Sequence, residues 1–239
     1  MNANLQQVWV YLQATPLLWL TATMLAYVGA FALYERARRN PLLNPVALAV
    51  AALILLLLAT GTDYRTYFDG AQFVHFLLGP ATVALAVPLH QNFALVRRAA
   101  LPMAAALLAG SATAIASAVG VAWALGGSRE TLLSLAPKSV TTPIAMGIAE
   151  QLGGIPSLTA VLVILTGILG AVLVTPLLNL LGVRDWRARG FATGVAAHGI
   201  GTARAFQVNE LAGTFAGIAL GLNGLATALL APAIAALFR

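Results

Sequence analysis

Cysteine is absent from the 239 residues, which excludes disulfides, thiolate metal sites and cysteine nucleophiles. Charge is almost as scarce. The 13 Lys and Arg and 7 Asp and Glu make up 8% of the chain, where a soluble domain carries about 25%. So few charges exclude an ordinary soluble enzyme and a disordered chain. They also exclude a nucleic-acid-binding module, because a net +6 cannot form a basic patch from so few residues. The positive excess reads instead as anchoring to an anionic cytoplasmic leaflet. Three histidines, at 75, 90 and 198, have no metal-ligand spacing. With no His-Glu-x-x-His motif and no aspartate pair in apolar sequence, neither an enzyme nor a cofactor is expected.

What the chain has is apolar length. Hydrophobic residues make up 60% and the mean hydropathy is +0.90. No charge occurs at 1–34, 40–62, 70–96, 99–128, 151–183 or 211–238, and each window can hold the ~20 residues that cross ~30 Å of hydrocarbon as a helix. Lipid offers no partner to a free backbone group, so spans are helical. The chain therefore reads as an all-α, polytopic integral membrane protein. Six full spans are expected at about 16–34, 43–60, 70–89, 99–126, 156–181 and 211–237, with two interrupted segments at 130–154 and 190–209. Leu5, Val8, Trp9 and Leu12 share one face of a short interfacial helix before Pro16.

Short loops rich in Lys and Arg stay cytoplasmic. Glu35, Arg36, Arg38 and Arg39 put the first loop inside and the N-terminus outside, at the periplasmic face. Asp63, Arg65 and Asp69 then lie outside, Arg97 and Arg98 inside, and Arg129 with Glu130 outside. Arg184, Asp185, Arg187 and Arg189 form the next basic loop, which lies inside only if 130–154 leaves on the side where it began. That segment is expected to be re-entrant; a full crossing that breaks the charge rule is the competing reading.

The interrupted segments echo each other at an offset of 60 residues. Val140 matches Ile200, Thr142 matches Thr202, Ala145 matches Ala205, Ile148 matches Val208, Glu150 matches Glu210 and Gly153 matches Gly213. A re-entrant loop plus one span crosses once, so two such copies are inverted, the plan by which secondary transporters build a midplane site. Two full crossings would make the copies parallel. Residues 1–125 are read as scaffold and oligomerisation helices, and 130–239 as the repeat-containing substrate region.

Polar groups inside these segments are the candidates for function. In Ala136-Pro137-Lys138-Ser139-Val140-Thr141-Thr142-Pro143, two prolines break the helix and Thr142 is placed to cap a new one. A half-helix N-terminus binds anions, and Lys138 would add a full charge or else snorkel to the headgroups. Ser139, Thr141 and Thr142 would supply hydroxyls. In Ala197-His198-Gly199-Ile200-Gly201-Thr202-Ala203-Arg204, Gly201 and its neighbour Gly199 permit broken helicity and close backbone approach. Arg204 is costly at membrane depth; it suits a substrate carboxylate or an ion pair with Glu150 or Glu210. His198 and Thr202 are polar neighbours, the histidine being a proton relay, a substrate donor or a packed core group. Glu150 and Glu210 could couple protons or stay solvated. Asn223, in the middle of the last span, is expected to face protein. His75 reads as core packing, and Gly79-Pro80 as a kink.

At these motifs the chain resembles the LrgB/CidB family. The resemblance covers about 10–237. It rests on Leu135–Ala145, on Ala197–Arg204, on Asn40-Pro41-Leu42-Leu43-Asn44-Pro45 and on Phe76–Leu89, with no departure in these motifs. It implies a bacterial inner-membrane protein, often working with a small LrgA/CidA-type partner. The family is described as holin- and antiholin-like, affecting murein hydrolase activity and lysis. Related members act in pyruvate uptake, and the plastidal relative exchanges glycolate and glycerate; this chain matches only the LrgB-type part of that protein. The expected function is transport of small monocarboxylates of the pyruvate, glycolate and glycerate class, with Lys138 and Arg204 on the carboxylate. The alternative is a holin/antiholin-like regulator of autolysis. Expected partners are the bilayer, the small acid, further copies of the chain (a dimer above all) and an LrgA/CidA-type protein.

Overall fold

The computed structural model describes residues 16–77, 80, 83–84 and 86–236. Among them every regular element is helical, and they form two compact units that divide after Ala84. The expected interfacial helix before Pro16, and Gly79 in the expected kink, lie outside the described residues.

The N-terminal unit contains α1 (Pro16–Arg36), α2 (Pro45–Thr60) and α3 (Tyr64–Phe76). α2 starts where Asn44 accepts from the Val46 and Ala47 amides and Pro45 occupies the first turn. It stops at Gly61, whose φ of +62° suits a left-handed cap. Trp19 and Tyr34 of α1 are buried, and Trp19 meets Tyr67 of α3 edge to face at 5.8 Å. The expected third span is not one long helix among the described residues. Arg65 and Asp69, read from sequence as loop charges, lie inside α3, because Asp63 accepts from the Arg65 amide and starts the helix early.

The C-terminal unit contains α4 (Ala86–Gln91), α5 (Phe93–Arg98), α6 (Ala100–Ala124), α7 (Arg129–Leu135), α8 (Thr142–Leu152), α9 (Pro156–Leu180), α10 (Trp186–Val208) and α11 (Glu210–Ala235). The division after Ala84 differs from the boundary near 125 read from sequence: α6 folds with this unit, packing Met103 against Phe191 and Phe215, and Ile115 and Val119 against Ala231. Among the described residues, four helices are long and apolar enough to cross a membrane, at Leu17–Arg36, Ala100–Ala124, Pro156–Leu180 and Glu210–Ile234. α9 shows how such a helix divides its surface. Thr159, Val163, Gly167 and Ala171 are buried, while Leu165, Leu169, Leu173 and Leu177 form an exposed apolar stripe at the same four-residue spacing. An outer face of leucine is stable against lipid and costly in water. The chain is a helical membrane protein.

Candidate functional site

Both interrupted segments fold as hairpins. In the first, α7 leads to a turn at 136–141 and α8 leads away from it. Ser134 near the end of α7 ties the hairpin to the start of α9: its Oγ accepts from the Ile155 amide at 2.7 Å and its carbonyl accepts from Thr159 Oγ1 at 3.0 Å. The first turn of α8 carries the proline, and its N-cap is Thr141 without a side-chain bond. The expected cap, Thr142, is one residue inside the helix, with Pro143 at the second helical position.

The second hairpin lies within α10. Ala197 (φ −126°, ψ 16°) and His198 (φ 40°, ψ −137°) interrupt the helix, leaving two arms at 186–196 and 199–208. A β-carbon on Gly201 would stand 3.3 Å from the Thr193 carbonyl oxygen, whereas eight residues of straight helix would separate them by about 12 Å. The second arm therefore folds back on the first. The break falls at a non-glycine residue with positive φ, an uncommon and strained choice, while Gly199 and Gly201 remain helical. Thr202 Oγ1 donates back to the His198 carbonyl at 2.8 Å, one turn earlier.

The bases of the hairpins lie at opposite ends of α9. The first meets Ile155 and Thr159; the second meets Thr175 and Val183, whose carbonyls accept from Arg189. Along α11 the order repeats. Ala212 and Ala216 pack against Ala205 of the second hairpin, and Ala231 packs with Leu132 and Ile148 of the first. The turns meet between these ends. Asn223 Nδ2 donates to the Ser139 carbonyl at 3.1 Å and to the Val195 carbonyl at 3.0 Å. Its Oδ1 accepts from Ser111 Oγ at 2.5 Å and, more distantly, from Thr227 Oγ1. His198 Nε2 lies 2.8 Å from the Val163 carbonyl. The ring fits only because residue 167 is glycine; a β-carbon there would be 2.6 Å from His198 Cε1.

The structure thus gathers Lys138, Ser139, His198 and Asn223. Lys138 Nζ is 3.4 Å from Ser139 Oγ. Ser139, His198, Thr202 and Asn223 are buried; Lys138, Thr141 and Thr142 are partly so. Arg204 is elsewhere: it shares a cavity with Arg189, Thr193 and Val208 at the base of the second hairpin. Six residues of helix put it about 9 Å along the arm from His198. Glu150 and Glu210 are exposed near helix ends. Ser111, Val163 and the buried Arg189 were not among the residues singled out from sequence. A serine in an Ala-rich helix carries no signal, and Arg189 sits in what reads as an aqueous basic loop.

A further feature is a groove of about 740 Å3 between α6 and the first arm of α10, lined by Met103, Gly110, Phe191 and Val195 and bordered by Arg98 and Arg187. The two basic loops therefore share one end of this unit, and α6 and α9, each about 37 Å long, lie between them in sequence. Asp185 caps α10 there, accepting from the Arg187 amide at 2.8 Å and pairing with its guanidinium at 2.5 Å. Hydrogen bonding from Arg187 holds the Asp185 carboxyl down to about 2.

Residues 23–237 match the model of the LrgB-like family. Among curated proteins, the chain is 37% identical to uncharacterized protein YwbG of Bacillus subtilis, over 88% of this chain and 93% of that one. It is 31% identical to holin-like protein CidB of Staphylococcus epidermidis, over 95% and 98% respectively. The CidB of Staphylococcus aureus is 29% identical over the same shares. No solved structure matches.

Proposed function

The chain belongs to the LrgB-like family, and from that premise we propose that it is a holin-like bacterial membrane protein whose C-terminal unit moves small carboxylates across the bilayer. The first half of this reading rests on the names of the Staphylococcus relatives. The second half rests on one observation: two hairpins based at opposite ends of α9 bring their turns together at Asn223.

Opposed hairpins that meet between long spans are the form an inverted repeat takes in secondary transporters. The bonds themselves follow the 60-residue offset. His198 of the second turn reaches Val163 of α9, and Asn223 of α11, 60 positions after Val163, reaches Ser139 of the first turn, beside Lys138. Each turn is held by the long helix of the other copy. Both outgoing arms, α8 and the second arm of α10, begin at the turns, so two positive helix ends converge there beside the Lys138 ammonium. A carboxylate on Lys138, with its 2-oxo or 2-hydroxyl group toward Ser139 and His198, uses that arrangement. In the packed state the turns are buried, so the acid enters only when the hairpins part toward one face. Assembly into dimers, a small LrgA/CidA-type partner and an outward-facing N-terminus complete this reading.

The second reading is a holin/antiholin-like regulator that acts by assembly alone. The printed names bear more directly on it than on a carrier, since they speak of a holin-like protein and of no substrate. Uptake of radiolabelled pyruvate and glycolate into proteoliposomes separates the two. Saturable uptake that is lost in Lys138→Ala supports the carrier. Its absence from folded protein, with and without the small partner, leaves regulation by assembly.

A further inference from the structure

The base of the second hairpin turns two arginines toward one cavity. Arg189 and Arg204 line a space of about 20 Å3 together with Thr175, Trp186, Thr193 and Val208, and no residue lining it is acidic. Arg189 is only 8% exposed. Its guanidinium gives one hydrogen bond to the Val183 carbonyl at 2.9 Å and a longer one to the Thr175 carbonyl at 3.4 Å, and it lies over the Trp186 ring at 4.9 Å. These contacts engage two of its five N–H donors and offset its charge only through dipoles and a ring face. A buried cation is ordinarily matched by an anion. A second arginine, Arg204, lines the same space.

We propose that this cavity binds one small inorganic anion of halide size. The volume selects the class. Space for one or two water-sized bodies suits a monatomic anion. Guanidinium N–H groups supply directed donors, and Trp186 shields one side. The ion has a structural consequence, because Arg189 belongs to the first arm of α10 and Arg204 to the second. An anion between them fastens both arms at the place where Arg189 holds the end of α9. This site shares no residue with the Lys138 and His198 cluster and does not rest on what the turns bind.

The test uses the full chain in detergent micelles, with no carboxylic substrate added. Thermal unfolding is followed in chloride, bromide and gluconate salts at one ionic strength, which holds general screening constant. The expected result is a saturable rise of a few degrees in chloride and bromide over gluconate. The rise is lost in Arg204→Gln and partly kept in Arg204→Lys. A second readout leaves both arginines intact. Phenylalanine at Trp9, Trp19 and Trp123 leaves Trp186 as the only remaining tryptophan. Iodide, a heavy-atom quencher, is expected to quench Trp186 with saturation and to be displaced by chloride. Equal midpoints in all three salts, or quenching that stays linear in iodide and ignores chloride, would overturn the proposal.

Discussion

Asn223 holds Ser139, a residue 84 positions earlier in the chain, by a 3.1 Å bond from its side-chain amide to the Ser139 carbonyl. The same amide nitrogen holds the Val195 carbonyl in the other hairpin. One side chain therefore fastens both turns, and Ser111 of α6 orients it from behind.

Replacing Asn223 by alanine is expected to release both turns at once. Interhelical hydrogen bonds in membrane proteins contribute about 0.6 kcal/mol on average and up to about 1.7, so loss of the Asn223 set should cost about 2 kcal/mol. Asn223→Asp keeps the shape but sets a carboxyl oxygen against the Ser139 and Val195 carbonyls, and should cost at least as much. Ser111→Ala, which removes one bond and no buried carbonyl partner, should cost under half of that. Denaturant unfolding in mixed micelles checks the order; a Ser111→Ala loss equal to that of Asn223→Ala would contradict it.

Gly167→Ala should disrupt the second turn, because the added carbon would stand 2.6 Å from His198 Cε1 and 2.9 Å from Ile200 Cβ. Overpacking of this kind costs about 1–3 kcal/mol. Gly147, inside α8, has nothing within 4 Å of an added β-carbon. Gly147→Ala should be neutral or stabilise by up to about 1 kcal/mol, from helix propensity. The contrast in thermal midpoint between the two variants tests whether close approach at His198, and not glycine flexibility in general, is what Gly167 provides.

Charge-free windows located the long helices α6, α9 and α11 to within a few residues, because membrane spans are written in composition. The prolines on either side of Lys138 marked the first turn for a similar reason: a missing N–H is visible in sequence. The second turn was placed among glycines and lies instead at Ala197 and His198, because Gly201 is needed for the close return of the arm past Thr193. Which residue bears a left-handed conformation depends on what the fold packs around it. Arg204 looked like a partner for Lys138 because both are cations in apolar sequence. Only the folding back of α10 turns it toward Arg189 and away from the turns. Asn223 was expected to face protein, and it does; the identity of its partners depends on four different helices and turns.

Acid should leave the cap of α10 intact to low pH. The Asp185 carboxyl is held near 2, from 3.8, first by the Arg187 side chain and then by the Arg187 amide. A depressed carboxyl pKa contributes stability that is present above the unfolded value and is lost as pH falls through the folded one. The window is therefore about pH 4 down to 2. Carboxyl carbon shifts of labelled aspartate should show the Asp185 carboxyl titrating at about 2 and not at 3.8. Arg187→Gln should return it toward 3.8. The exposed position of the pair makes its energetic effect small.

His198 provides a test of backbone strain that a contact count would miss. Its φ of +40° is unfavourable for any residue with a β-carbon and open to glycine; such strain costs about 1–3 kcal/mol. Its ring also makes the 2.8 Å contact with the Val163 carbonyl, worth about 1 kcal/mol when buried. His198→Ala loses the contact and keeps the strain. His198→Gly loses the same contact but removes the strain, while gaining chain entropy in the unfolded state. Glycine is therefore expected to be more stable than alanine at this position by about 1 kcal/mol, the reverse of their order inside a helix. Unfolding midpoints of the two variants decide it. If alanine were the more stable, residue 198 would be helical and α10 would cross as one rod, and the meeting of two turns at Asn223 would have to be abandoned.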